Sequence, residues 1–201
     1  MDSASEQTPE TSERPRSAET RQRLLAAAAQ LIAEVGWGGV RTRAVAERAG
    51  LPHGAVSYHF RGKQELLTEA AMQTVEQMFP VAELEALETV EDLMPLFTAW
   101  TAGGEKIDPV GRGVLMEAMR ESERNPELRR RLAALLADYR RVVAGLVRAE
   151  QHSEATPVDP SPSVVATLIA AAGDGLLLHE LLDPELDTAS AFEALLALLR
   201  K

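Results

Sequence analysis

The chain contains no cysteine, which excludes disulfide staples, thiolate metal sites and cysteine nucleophiles. It has no glycine-rich phosphate loop, no cluster with metal-ligand spacing and no recognisable nucleophile–base set, so no catalytic residue, metal or cofactor is expected. Its four histidines, His53, His59, His152 and His179, are scattered. The first sixteen residues, MDSASEQTPETSERPR, are polar and lack the apolar core of a secretion signal, and residues 1–17 read as a disordered tail. No uninterrupted apolar run reaches the roughly 18 residues of a spanning helix. The nearest, residues 164–182, is broken by Asp174, His179 and Glu180. These absences point to a soluble, cytoplasmic protein that makes no membrane contact and is not an enzyme.

What is present is enough apolar residue to build a core, 45% of 201 positions, in one domain or two modest ones. A net charge of −10 argues against binding nucleic acid if the chain is treated as uniform. It is not uniform. Residues 14–66 hold nine basic side chains (Arg14, Arg16, Arg21, Arg23, Arg41, Arg43, Arg48, Arg61, Lys63) and four acidic ones (Glu19, Glu34, Glu47, Glu65), a local +5 that leaves −15 on the remainder. A basic head on an acidic body is the asymmetry expected when one part meets a polyanion.

Apolar residues recur at helical spacing between proline and glycine breaks, and no stretch shows strand alternation, so the fold class is all-α. A first helix is expected after Ser17 as N-cap, with Leu24, Ala28, Leu31, Ile32 and Val35 on its inner face, ending at Gly36. A second is capped by Thr42, carries Val45, Ala46 and Ala49 inward and stops at Gly50. After the Leu51-Pro52 turn, a third covers about 53–60, with Val56 and Phe60 inward. A fourth, from Lys63 to Met78, joins head to body and ends at Pro80. Further helices are expected at about 90–102, 110–124, 126–149, 163–182 and 188–199.

Two short helices joined by a tight glycine-containing turn, in a basic context, form a helix-turn-helix. The wording here is specific: TRAVAERAGL, then Tyr58-His59-Phe60, then Lys63. Over about residues 18–67 this segment closely resembles the DNA-binding domain of the tetracycline-repressor (TetR) family. The resemblance implies a DNA-binding domain at 18–62 and a helical effector-binding and dimerisation domain at 63–201. The second helix of the pair would lie in the major groove, presenting His53, Gly54, Ser57 and Tyr58 to base edges. By the same resemblance, Arg43 reaches a base, where its fork suits guanine, and Thr42, Tyr58, His59 and Lys63 grip phosphates. For His59 a purely packing role stays open. Ser57 stands where the family often has an aromatic, and Pro52 where a Ser or Thr cap is common.

The leucine-rich segments 163–182 and 188–199 are too apolar all round for the outside of a monomer. The family resemblance implies that they form a four-helix bundle in a homodimer, with Ala170, Ala171, Ala172, Gly173 and Gly175 permitting close packing. A buried central helix within one subunit is the other option. Such a dimer would place two heads roughly 35 Å apart on the half-sites of a palindromic operator in double-stranded DNA. A pocket for an unknown small-molecule effector is also implied. Its candidates are Met94, Trp100, Met116, Met119 and Leu178, which serve equally well as core, and Arg112, Arg120, Asp174 and His179, polar positions that either line the pocket or face solvent. The expected function is a ligand-responsive regulator, a repressor released by its effector. A helical interaction module without DNA binding and an activator of the same fold stay open.

Overall fold

The computed structural model describes residues 13–100, 109–153 and 160–199. All regular structure in them is helical: α1 (Glu13–Gly39), α2 (Thr42–Arg48), α3 (Gly54–His59), α4 (Lys63–Met78), α5 (Val81–Leu84), α6 (Leu93–Trp100), α7 (Pro109–Ser122), α8 (Pro126–Ser153), α9 (Pro162–Leu182) and α10 (Thr188–Leu199).

The expected elements are there, with shifted ends. Residues 1–12 lie outside the described residues, but 13–17, read as part of a disordered tail, are already helical, so Ser17 sits inside α1 and does not cap it. α1 is two helical stretches that meet across a kink at Gly36, where the first of them ends as expected. The Gly36 backbone, at φ 72° and ψ 162°, occupies a region open in practice only to glycine, and one more turn follows. This swing carries Trp37 into the core at 2% exposure and leaves Val35, expected on the inner face, 53% exposed. Thr42 is the first helical residue of α2; the cap position is Arg41, which makes no side-chain cap bond. The four-residue α5 was not expected, because one turn is too short to carry a helical repeat.

In the head, α2 ends in a Schellman motif. Gly50 adopts φ 64°, its N–H donates to the Glu47 carbonyl at 3.0 Å, and the Leu51 N–H donates to the Ala46 carbonyl at 2.9 Å. Arg23 of α1 donates to the Ala49 carbonyl at 2.6 Å, fastening this turn to the first helix. Val45, Ala46, Ala49, Val56 and Phe60 are buried as expected and set the α2–α3 angle.

The body is built on α4 and α7. α7 packs against both α1 and α4, and two glycines allow it to come close. A Cβ on Gly111 would lie 3.3 Å from the Met78 sulfur of α4, and one on Gly113 would lie 2.9 Å from the Ala33 Cβ of α1. α8 packs on α9, and α10 on α9 and α6. Inside this layer Phe97 and Phe192 stack at 4.1 Å with Gly173 against them. Gly173 and the buried Ala170 therefore serve packing within the chain, not the interface expected of them. One side of α9 carries Val164, Leu168, Ala171, Gly175, Leu178 and Leu182, spaced alternately four and three apart; its first three residues are exposed, while Gly175, half-buried, and Leu178 also border the cavity described below. Val164, Leu168 and Leu178 are each about half exposed, and Leu182 is 82% exposed. Taken whole, α9 is apolar enough to pass a length-and-composition test for a membrane span, with mean hydropathy 1.5, despite its charges. Its inner face, however, packs on protein.

The Gly113 contact meets backbone as well as side chain, so it has little room to yield. Gly113→Val is expected to destabilise the fold by about 1–3 kcal/mol through overpacking, whereas Gly145→Ala, at a position open to solvent on α8, should be near neutral or slightly stabilising. Urea unfolding followed by circular dichroism would compare the two.

Candidate nucleic-acid interface and adjoining cavity

Burial sorts the head residues by task. Arg43, His53, Gly54, Ser57 and Tyr58 are exposed, and Thr42, His59 and Lys63 are half-buried. Tyr58 is 81% exposed, a large aromatic left in water on a six-residue helix. It meets His59 edge to face at 4.9 Å, and His59 in turn lies 6.4 Å from Phe60, so the triplet forms a ring ladder from surface to core. The Ser57 hydroxyl donates to the Gly54 carbonyl at 2.9 Å and is held toward its own helix. A Cβ on Gly54 would meet nothing within 4 Å, so this glycine is not required by packing within the chain. Lys63 donates from Nζ to the Gly38 carbonyl at 3.1 Å, which ties the start of α4 to the end of α1.

The nine basic residues of the head are not equivalent. Arg48 makes a two-pronged bond to Glu34, at 2.7 and 2.8 Å, which raises the Arg48 pKa and lowers that of Glu34 chiefly through those hydrogen bonds. Arg23 is spent on the α2 turn. Arg21 pairs with Glu69 at 3.4 Å and sits over the Phe60 ring at 5.2 Å. Arg41, Arg43 and Arg61 make no ion pair among the described residues. Charge counting could not make this division, because the partners Glu34, Glu69 and Ala49 are brought in by the fold.

Head and body meet in a network of hydrogen bonds. The break at Gly36 frees the Trp37 backbone N–H, which donates to the Glu117 carboxylate of α7 at 2.7 Å. That bond is the main cause holding the Glu117 pKa below its usual value of 4.5, with Arg120 at 2.7 Å contributing less. The Trp37 indole N–H donates to Gln64 Oε1 on α4 at 3.1 Å. Glu69 of α4 bridges Arg21 of α1 and Arg131 of α8, the latter at 2.5 Å. Trp37, Gln64, Glu69, Glu117 and Arg131 were not singled out by sequence; a lone glutamate in α7 has no pattern until its partner is known.

Behind this joint lies a cavity of about 570 Å³, within the roughly 300–1,000 Å³ range of small-molecule sites. It is walled by the C-terminal part of α4 (Thr74, Val75, Gln77, Met78), by Phe79, Pro80 and Glu83, and by α7 (Gly111, Arg112, Leu115, Met116, Met119). α8 adds Leu132, Leu135 and Leu136, and α9 adds Asp174, Gly175, Leu177, Leu178, Glu180 and Leu181. Of the nine residues proposed from sequence, Arg112, Met116, Met119, Asp174 and Leu178 line it. Arg120 turns away to Glu117, Met94 packs against the core, and His179 points to solvent between lining neighbours. The Trp100 side chain lies outside the described residues. Phe79 lies edge-on to Tyr139 at 5.9 Å, and burial, followed by the nearby Asp174 charge, pushes the Tyr139 hydroxyl up to about 12. The Asp174 carboxyl is raised by its apolar surroundings, which outweigh the favourable charge of Arg140.

Residues 24–70 match the family model of bacterial regulatory proteins of the tetR type, and residues 91–201, more than half the chain, match that of the C-terminal region of BetI-type transcriptional repressors. The chain belongs to the TetR family of transcriptional regulators. An HTH-type transcriptional regulator of Mycobacterium tuberculosis is 25% identical over 170 residues, 84% of this TetR chain and 87% of the relative. A transcriptional regulator from Streptomyces coelicolor superposes with TM-score 0.69 at 26% identity, over 91% of this chain and 99% of that one. Another, from Saccharomonospora viridis, solved in complex with choline, gives 0.70 at 25% identity over 89% and 94%.

Glu117 is the testable hinge of this TetR joint. Glu117→Ala leaves the Trp37 N–H without its charged acceptor and should cost about 1–3 kcal/mol, read by denaturation followed through tryptophan emission. Because the folded pKa is lowered, the bond's contribution is complete above the ordinary value of 4.5 and is lost as pH falls through the lower folded value. The difference in stability between wild type and Glu117→Ala should therefore narrow on acidification.

Proposed function

We propose that this TetR-family regulator is a cytoplasmic repressor that binds a palindromic operator as a homodimer and is released when a small molecule enters the cavity. The observation that carries this reading is the double use of α4. Lys63 and Gln64, at its start, are bonded to the end of α1 beside the reading helix, while Thr74 to Met78, at its other end, form one wall of the cavity. The helix is about 24 Å long, so an occupant that pushes on its far end also acts on the head.

In this reading α3 enters the major groove. His53, Gly54, Ser57 and Tyr58 approach bases, with Arg43 of α2 reaching a guanine edge. Thr42, Tyr58, His59 and Lys63 hold phosphates. The absence of anything near a Gly54 Cβ supports it, since the space is then available to DNA. The exposed residues Val164, Leu168 and Ala171 of that stripe on α9 would form the two-fold interface, which would fix the head spacing at about one DNA turn, 34–36 Å. The choline complex of the Saccharomonospora viridis relative supports effector binding. The operator contacts, the dimer and release on binding are our reading of these features.

Selection of duplexes from a random library should enrich a palindrome, with affinity falling steeply as salt rises. Lys63→Ala is expected to weaken binding to every sequence and lower the salt slope by about one unit. Arg43→Ala should instead relax one position in each half-site at a cost of about 1–3 kcal/mol. Equal losses for both variants on selected and random DNA would overturn the assigned roles. For the interface, Leu168→Glu should yield monomers in analytical ultracentrifugation and reduce operator affinity while the helical circular dichroism persists.

A further inference from the structure

With no cysteine in the chain, its six methionines carry all of its sulfur chemistry. Three of them, Met78, Met116 and Met119, line the cavity. Met116 is 41% and Met119 56% exposed, whereas Met72, outside the lining, is 2% exposed. Met78 is half-buried, and its setting differs from the others. A Cβ on Gly111 of α7 would lie 3.3 Å from the Met78 Sδ and 3.7 Å from its Cγ, so this thioether fills the gap between α4 and α7. On its other side it borders the cavity, which is wide enough to bring a molecule as small as a hydroperoxide to the sulfur.

We propose that Met78 is an oxidation site, and that its conversion to the sulfoxide loosens the seat of α7 on α4 and so lowers operator affinity. The loosening stands on the geometry; the effect on operator binding rests on the reading of the chain as a DNA-binding repressor. A hydroperoxide supplies the oxygen. A sulfur lone pair attacks the outer peroxide oxygen, an S–O bond forms as the O–O bond breaks, and the departing oxide takes the proton of the transferred oxygen to leave as water or an alcohol. Sulfur is oxidised by two electrons and the peroxide reduced by two. The product is bulkier by one oxygen and polar where the thioether was apolar. Toward Gly111 there is no room for that oxygen, since even a methyl there would crowd the sulfur. The Thr74 hydroxyl, one turn earlier on α4, already donates to the Ala70 carbonyl at 2.9 Å and has no second proton to offer. A sulfoxide held between the helices without a donor is unfavourable, so the side chain turns its oxygen into the cavity, toward water. The sulfur then leaves Gly111, and the contact that sets the spacing of α4 and α7 is lost by either route. Gln64 and Glu117, the partners of Trp37, sit on these same two helices, so a change in spacing reaches the head. Met116 and Met119, the more exposed pair, react first and leave the joint intact.

The test treats the full-length protein with graded hydrogen peroxide, locates sulfoxides by peptide mass spectrometry, and follows urea unfolding and binding to the selected operator. While only Met116 and Met119 are modified, neither readout should change. Once Met78 is oxidised, the urea midpoint should fall and operator affinity should drop roughly tenfold or more, and methionine sulfoxide reductase should restore both. Met78→Leu, a swap of similar volume, should bind the operator within about twofold of wild type and keep that affinity under peroxide. Met78→Gln, which sets a polar group at the same point, should show the lower midpoint and weaker binding with no oxidant, its helical circular dichroism intact. Met78 staying a thioether while Met116 and Met119 are fully oxidised would overturn the site. The role would be overturned by a Met78 sulfoxide that leaves either readout unchanged, by an equal loss in Met78→Leu, or by weak binding that persists after the reductase has removed the Met78 oxygen. The function reading is judged separately. If the untreated protein enriches no DNA sequence, that reading falls, and the urea midpoint still decides whether the Met78 sulfoxide loosens the seat.

Discussion

The seating of α7 across α1 and α4 is the constraint on which the other parts depend. Two glycines, 111 and 113, let one helix lie close against both the head's longest helix and the connecting helix. From that seat α7 does two jobs at once: Glu117 accepts the Trp37 N–H freed by Gly36, and Leu115, Met116 and Met119 form a cavity wall. A larger residue at Gly113, which meets the Ala33 backbone, would push α7 away from α1 and strain the Glu117 bond, whereas at Gly111 it would meet the flexible end of Met78. Local backbone chemistry at Gly36, helix packing and the cavity's shape are thus consequences of the same close approach.

The electrostatics of the head follow from the same economy of position. A cluster of +5 on sequence is, in the fold, a mixture of structural and outward-facing cations. Arg23 fastens the turn between α2 and α3, Arg48 locks α2 to α1 through Glu34, and Arg21 joins Phe60 to Glu69 and so to Arg131 of the body. These contacts fasten α2, the turn after it and Phe60, which flank α3, to α1. Among the arginines left without ion pairs in the described residues, 41, 43 and 61 lie near α2 and α3 and are then available for a partner, and the field they produce adds to that of Lys63 at the start of α4.

The head was readable in the sequence because its information is local. TRAVAERAGL carries the glycine that the Schellman turn demands, the alanines that let α2 approach its neighbours and the apolar spacing of α2, all within a dozen residues. The ladder Tyr58-His59-Phe60 is local too. The joint and cavity are long-range. Glu117 lies eighty residues from Trp37, and Gln77, Leu132 and Glu180 share a wall only because three helices converge there. What sequence could offer for the cavity was polarity out of place, and that signal served for Arg112 and Asp174 but misdirected for Arg120 and His179, which sit on faces turned away from it. The small residues of α9 misled for the same reason: Ala170 and Gly173 permit close packing, but composition does not tell which neighbour approaches.

The energetics of the joint are on the scale that coupling requires. Linkage between two sites is typically worth about 1–3 kcal/mol, and a charge-assisted bond such as that between Glu117 and Trp37 contributes a similar amount, about 1.5–3 kcal/mol. Besides the packing of α1 on α4 and α7, the head is held to the body by a few hydrogen bonds and ion pairs: Trp37 to Glu117, Trp37 to Gln64, and Glu69 between Arg21 and Arg131. Losing or lengthening one of them would be worth about as much as such a linkage, so the proposed release would not require disrupting a core. Because α4 and α7 both form cavity wall and both hold these bonds, an occupant that favours a wider spacing of the two helices strains the joint directly. Its differential affinity for the two arrangements sets how far the heads can shift. Under the proposed release, α4 and α7 together would carry that affinity from cavity to head, and no longer chain of rearrangements would be needed.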